Sequence, residues 1–282
     1  MWAKTSAWDW NPFCIRHHYM KDAPKQVHKY LLESGFSIME KKLKIAIIGY
    51  GKMGKAVEIM ALRRKHTVGA VIDNEEQWLT SREQLAGCDA AIEFTTPETA
   101  PENIRRCFEM DIPVISGTTG WYNQLPAIIR SCEENRRCLF HAANFSIGVN
   151  IFFALNRQLG AMLADMKGYR PRIVESHHSQ KLDAPSGTAI ALANDIVAGR
   201  DNLAKWINAD EYAGQEDLLP VKSYRLDDVT GTHVVLYESK IDTIEIKHSS
   251  HDRSGFAEGA MLAAEWVYNR EGVFTMKDML NI

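Results

Sequence analysis

Short apolar runs separated by amphipathic stretches set the rhythm of the chain from Lys44 onward. Lys44 to Ile48 is isoleucine-rich and strand-like, and it runs directly into Gly49-Tyr50-Gly51-Lys52-Met53-Gly54 and then a helical pattern through Lys65. Further strand-like runs follow. Thr67 to Ile72 ends in Asp73, Ala90 to Phe94 enters Thr95-Thr96-Pro97, Pro113 to Ile115 enters Gly117-Thr118-Thr119-Gly120, and Cys138 to Phe140 is the fifth. Helical segments at Pro101 to Met110 and Leu125 to Glu134 lie between them. This alternation predicts repeated βα units and a doubly wound parallel sheet of Rossmann type.

After Asn144 the rhythm changes. A long apolar helix is predicted over Val149 to Met166, then a strand at Arg172 to Glu175, a polar loop, and a helix from Thr188 to Val197 closed by Gly199. Val221 to Arg225, His233 to Tyr237 and Thr243 to Lys247 follow as strands with little helix between them, which predicts a smaller α+β domain with a mixed sheet. Gly255 to Tyr268 is helical and apolar enough to return to the first domain. The expected partition is residues 43–146 plus 255–282 as a dinucleotide-binding domain and 147–254 as a substrate-binding and oligomerisation domain. Residues 1–38 crowd tryptophan and histidine without periodicity and stand before Met39, so they read as an extension, with native translation expected to start at Met39.

Composition narrows the ligand. Of the 282 residues, 45% are hydrophobic and 24% charged, within the globular range, and a net charge of -3 offers no general attraction to nucleic acid or an anionic membrane. Cys14, Cys88, Cys107, Cys132 and Cys138 are odd in number and lack zinc-binding spacings, so reduced thiols in a cytoplasmic protein are expected.

Gly49-x-Gly51-x-x-Gly54 between a strand and a helix is where a dinucleotide pyrophosphate would sit: glycines permit close backbone approach, and helix amides meet the phosphate charge. The plainer alternative is an ordinary glycine turn. Asp73 closes the next strand about 20 residues on, where a carboxylate can accept from an adenosine ribose. It would repel a 2′-phosphate, and Asn74, Glu75 and Glu76 supply no arginine, so NADH is expected over NADPH.

The segment Glu175-Ser176-His177-His178-Ser179-Gln180-Lys181-Leu182-Asp183-Ala184-Pro185-Ser186-Gly187-Thr188 concentrates the candidate chemistry. A histidine or lysine can move a proton in step with hydride transfer, and helix-start amides can hold a carboxylate, so a small anionic substrate fits. Taken singly, a histidine pair is often a packing feature and Pro-Ser-Gly-Thr only a helix cap. No third carboxylate or cysteine stands at a familiar ligand spacing, so no metal is expected.

At every fixed position this segment resembles E-x-H-H-x-x-K-x-D-x-P-S-G-T, the signature of the dihydrodipicolinate reductase family. Gly117-Thr118-Thr119-Gly120-Trp121 is similar to the family's GTTG loop, Ala142-Ala143-Asn144-Phe145-Ser146 to its A-x-N-F-S segment, and Phe94-Thr95 with Pro97 to its F-T-x-P turn. Gly231 with His233, Ile244-Glu245-Ile246 with His248 and Arg253, and Phe256-Ala257 with Gly259-Ala260 resemble its closing strands and helix. The resemblance covers Lys44 to Ile282. It implies reduction of a cyclic dicarboxylate in lysine and diaminopimelate biosynthesis by a homotetramer, with His177 as proton donor or acceptor and Lys181 as second proton donor. His178, Ser186, Gly187 and Thr188 would bind substrate. Gly49, Tyr50, Gly51, Lys52, Met53, Gly54, Asp73, Phe94, Thr95, Gly117, Thr118, Thr119, Ala142, Ala143, Asn144 and Phe145 would bind the nicotinamide cofactor. The chain departs from the family pattern at its first loop, Gly-Tyr-Gly, and at Asp227 and Thr232. Two other classes compete: a Rossmann-type dehydrogenase of another small carboxylic acid, and a non-catalytic nucleotide-sensing homologue. The former shares the glycine loop but not His-His-x-x-Lys; the latter has no need to keep His177 and Lys181.

Overall fold

The computed structural model describes residues 41–282 except positions 228 and 253. The extension at residues 1–38 and the start at Met39 lie outside the described residues. Lys42–Ile282 forms one compact unit that carries two sheets.

Isoleucine-rich β1 (Lys44–Ile48) pairs in parallel with β2 (Thr67–Ile72) on one side and β3 (Ala90–Glu93) on the other. β4 (Val114–Ser116), β5 (Cys138–His141) and β11 (Gly272–Phe274) extend the sheet, all parallel. The order β11-β5-β4-β3-β1-β2 reverses direction between β1 and β3, which is the switch point where doubly wound sheets open a crevice beyond the strands' carboxyl ends. Helices α1 (Lys52–Arg63), α4 (Ala100–Glu109) and α5 (Leu125–Glu134) form crossovers, and short α2 (Glu75–Thr80) and α3 (Arg82–Ala86) replace the one between β2 and β3. Leu85, Ile104, Phe108, Trp121, Ile128 and Leu139 fill one core. Cys107, Cys132 and Cys138 are buried and free; burial pushes the Cys138 thiol up to about 12.

The second sheet runs β10-β9-β6-β8-β7. β6 (Arg170–His177) pairs antiparallel with β9 (Gly231–Glu238) and parallel with β8 (Leu218–Arg225), while β10 (Thr243–Ser250) and β7 (Lys205–Asn208) form the edges. Helices α6 (Ile147–Met162) and α7 (Gly187–Ala198) pack on it over Phe152, Ile173, Leu192, Val221 and Tyr237. The mixed sheet agrees with the sequence pattern, but several bounds change and two short strands are added. Predicted α6 runs to Met166, whereas the helix ends at Met162, beyond which the chain tightens into i to i+3 turns (Ala164 N to Ala161 O, Met166 N to Leu163 O) that buried Arg200 braces through the carbonyls of Leu163 (2.7 Å) and Tyr169 (3.2 Å). β7 and β11 were too short to register as periodic runs and exist through pairing to longer neighbours. All four strands read in the second half, β6, β8, β9 and β10, are longer than the apolar pattern alone suggests.

Helix α8 (Ser254–Trp266) returns to the first sheet, and α9 (Met276–Leu280) follows β11. The return is fastened by Glu265, which accepts two bonds from Arg64 (2.7 and 2.8 Å) and contacts His66 Nε2 at 2.7 Å, while His66 Nδ1 accepts from the Leu43 amide at 3.0 Å. Burial works to raise the Glu265 pKa, but the His66 and Arg64 bonds outweigh it and hold the carboxyl below its usual range. Its stabilisation is therefore present above the unfolded carboxyl pKa near roughly 4.3 and is lost as pH falls through the lower folded value. Glu265→Ala is expected to lower unfolding free energy at pH 7 by about 2 kcal/mol in urea titrations. The deficit should shrink in acid.

Candidate active site

The crevice side of the first sheet is built from loops that continue the strand ladder for one more residue. Gly49 N donates to Ile72 O, Phe94 N to Ile48 O, Gly117 N to Glu93 O and Ala142 N to Ser116 O, at 2.7–3.2 Å. Gly49 has φ +90°, and a Cβ there would overlap the Phe94 carbonyl; a Cβ at Gly54 would overlap Gly49. At Gly51, by contrast, a Cβ would meet nothing within 4 Å. The backbone is thus packed tight behind the loop and open in front, and Gly51 caps α1 without any side-chain hydrogen bond. That arrangement fits a pyrophosphate against the helix amides. Asp73 stands beside the loop, exposed, with Oδ1 accepting from the Tyr50 amide at 2.7 Å.

Beneath these loops lies a residue the motif reading missed. Glu93, 1% exposed at the end of β3, accepts from the hydroxyls of Ser116 (2.6 Å) and Thr118 (2.7 Å), the Thr95 hydroxyl and the Thr95 amide (2.9 Å). One carboxylate thereby ties the Phe94-Thr95 turn to the Gly117-Thr118-Thr119 loop. Phe94 and Phe140 flank Phe145, and Phe145 O abuts Gly259 of α8. Asn144 turns the chain toward the second sheet: its side chain accepts from the Ser146 amide at 2.8 Å and its carbonyl from Asn150 at 2.9 Å.

The loop from His178 to Ser186 leaves β6, whose inward residues are Pro171, Ile173, Glu175 and His177. His177 is buried at the strand end, and His178, just past it, is half-buried. Burial, with the His233 ring adding, pushes the His177 imidazole down to about 4, while Glu175 works the other way. Lys181 Nζ pairs with Asp183 at 2.7 and 2.9 Å, and Arg225 braces the loop through the Lys181 and Asp183 carbonyls. Ser186 caps α7, accepting from the Ala189 amide at 3.3 Å.

A cleft of ≈ 470 Å³ gathers His177, His178, Lys181 and Thr188 from the second lobe with Asn144, Gly255 and Phe256 from the segments that join it to the first. Among residues named from sequence, Ser186 is turned inward against His233 (3.1 Å) rather than lining the cleft, and Gly187 is exposed beside it. Asn144 is the member of the cofactor set on the cleft wall; the glycine loop, Asp73, Thr95 and Thr119 lie along the carboxyl ends of the first sheet. His233, Thr230, Ser250 and Asp252 also line the cleft and were given no role from sequence.

Spacing along the chain also missed a potential ligand set, since Glu175, His177 and His233 bring donor atoms within 4.8 Å of one another across neighbouring strands. The Arg225 guanidinium, 3.5 Å from Glu175 Oε1, already supplies positive charge there. A carboxylate shared by an arginine and two imidazoles fits proton handling better than a cation.

Fold and site together define a Rossmann-like, pyridine-nucleotide-dependent reductase with a mixed-sheet lobe that carries the loop from His177 to Thr188. The family models for the N-terminus and C-terminus of dihydrodipicolinate reductase match residues 43–145 and 148–280. The chain belongs to the dihydrodipicolinate reductase family. It is 43% identical over 241 residues, 85% of this chain and 98% of the relative, to 4-hydroxy-tetrahydrodipicolinate reductase of Christiangramia forsetii. It is 36% identical over 203 residues to the enzyme of that name from Neisseria meningitidis serogroup A, covering 70% of this chain and 74% of the relative. The dipicolinate-bound dihydrodipicolinate reductase of Paenisporosarcina sp. TG-14 shares the fold, with a TM-score of 0.67 at 24% identity over 83% of this chain and 98% of that one.

Glu93→Ala should strip an acceptor from two buried hydroxyls and loosen both loops. Unfolding free energy is expected to fall by about 2 kcal/mol, and the KM for the dinucleotide to rise several-fold in steady-state assays.

Proposed function

We propose that the chain reduces 4-hydroxy-tetrahydrodipicolinate to tetrahydrodipicolinate with NADH, in the cytoplasmic route to diaminopimelate and lysine. The observation that carries this reading is the convergence of His177, His178, Lys181 and Thr188 on one cleft whose other wall is Asn144 and the start of α8. The competing dehydrogenase of another small acid does not account for that set.

When bound, the dihydronicotinamide supplies the hydride. The residues of the glycine loop, with Phe94, Thr95, Gly117, Thr118, Thr119 and the Ala142–Phe145 segment, would hold the dinucleotide along the first sheet, and Asp73 would accept from the adenosine ribose. Thr188 and the amides after Ser186 would take one substrate carboxylate at the α7 N-terminus, and His178 would take another polar group of the ring. His177, neutral at pH 7, suits removal of a proton from the carbon beside the imine and its later return to that carbon. Lys181 would release Asp183, meet the substrate's charge and protonate the departing hydroxyl as water. One ring proton is borrowed and returned, one hydride is gained, and hydroxide leaves as water with a proton from Lys181 that solvent replaces, so the sum balances.

NADH preference rests on Asp73 and on the cations near it. Arg106, from α4, is held by Glu75 at 2.7 Å and by Glu102 at 3.3 Å, and lies over Trp78, so it is engaged rather than offered to a 2′-phosphate. Closure of the two lobes about Asn144 and Gly255, the division at residues 147 and 254, and a homotetramer assembled through the second sheet belong to the same reading.

In an assay fed by freshly made product of the preceding aldolase-type synthase, kcat/KM should be at least about tenfold higher with NADH than with NADPH, a difference of one like-charge contact. A marked NADPH preference would refute the Asp73 argument. His177→Gln and Lys181→Ala should each cut turnover by about 100-fold or more while leaving NADH affinity, read by fluorescence titration, within error.

A further inference from the structure

Position 175 breaks the pattern of its strand. A carboxylate occupies an inward site of β6 where the sheet's packed face calls for an apolar side chain, and it is 0% exposed. Sheet register sets His233 directly opposite on β9 and Ser223 directly opposite on β8. The two carboxylate oxygens have different surroundings. Oε1 accepts from the Ser186 amide at 3.0 Å and the Ser223 hydroxyl at 2.8 Å, with Arg225 at 3.5 Å. Oε2 has no such bond and faces two imidazoles, His177 Nδ1 at 3.4 Å and His233 Nε2 at 3.6 Å. Structure saturates one oxygen and leaves the other to the rings.

We propose that Glu175 is a positioning residue for the reduction: Oε2 keeps His177 in the Nδ1–H form, with its lone pair on Nε2, and steadies the imidazolium once that nitrogen takes a proton. The proposal rests on His177 being the proton-carrying group. Nε2 is the nitrogen beside Gly231 on the cleft wall, so the tautomer decides whether a base or an N–H donor faces the substrate. Through Oε1 the same carboxylate pins the Ser186 cap of α7. Proton carrier and anion-binding helix start are thereby registered to one side chain, eleven residues from the cap. His233 completes the arrangement as a second ring on Oε2, packed edge-on to His177 at 5.0 Å and in contact with Ser186.

The charged and titratable groups facing His177 are Glu175 on its own strand, Arg225 on β8, His233 on β9 and Lys181 in the following loop; His248 of β10 faces His233. Only Glu175 acts to raise the His177 pKa, and every other neighbour lowers it. Loss of its charge must therefore move His177 titration to still lower pH.

The test is two-bond 1H–15N spectroscopy of the histidine rings together with kinetics. In the unaltered protein at pH 7, His177 should be neutral with the proton on Nδ1. Glu175→Gln keeps an acceptor for Ser186 and Ser223 but removes the charge: kcat should fall by about 100-fold, substrate KM should shift less than about threefold, and the Nδ1–H population should drop. Glu175→Asp, which keeps the charge, should recover part of both kcat and the tautomer. An Nε2–H form in the unaltered protein overturns the proposal without recourse to any variant. So does wild-type kcat in Glu175→Gln when His177→Gln is inactive. Full turnover in His177→Gln would instead remove the parent assignment of His177, and the proposal with it.

Discussion

A carboxylate buried at the end of a strand has to be surrounded by donors, because leaving it unpaired away from water costs several kcal/mol. This chain meets that demand twice. Glu93 ends β3 and collects Thr95, Ser116 and Thr118; Glu175 approaches the end of β6 and collects Ser186, Ser223, Arg225 and two histidines. In each case a donor two residues away, Thr95 or His177, is joined by donors from segments distant in sequence, so satisfying one side chain dictates how separate loops lie against one another. The crevice of the first sheet and the reactive loop of the second are shaped by the same requirement.

The rest of the architecture serves to bring those two loop systems to one cleft. Asn144 and Ser146 turn the chain out of the first sheet into α6, and α8 returns it, tied down by Glu265 against Arg64 and His66. The walls of the cleft come from both crossings and from the ends of β6, β9 and β10. Lys181 is held on Asp183, and burial lowers the His177 pKa to about 4, which keeps its imidazole neutral near pH 7.

Much of this was legible from residue order. The apolar and helical runs located the first five strands, the crossovers α1, α4 and α5 and the mixed second sheet, and the loop from Glu175 to Thr188 stood out as chemistry. Glu175 itself carried a readable signal, since residues two apart on a strand share a face and it shares one with Ile173 and His177. Glu93 carried a weaker one, a carboxylate closing an otherwise apolar run. His233 stood out only as part of the family resemblance and with no role, because its meaning comes from lying opposite Glu175. The early end of α6 was hidden for a similar reason: the turn that follows it is braced by Arg200, 37 residues beyond Leu163, on the Leu163 carbonyl.

The sequence by itself determined the element types, the glycine turn, the Asp73 carboxylate and the family signature, because each depends on local sterics, periodicity or short spacing. Tertiary structure alone decided which loops share a carboxylate, that Ser186 turns inward while Thr188 faces the cleft, and that Arg106 is occupied near Asp73. Those outcomes depend on strand register and on the satisfaction of buried charge. Both are set by partners brought together from far along the chain, and neither has a local pattern to read.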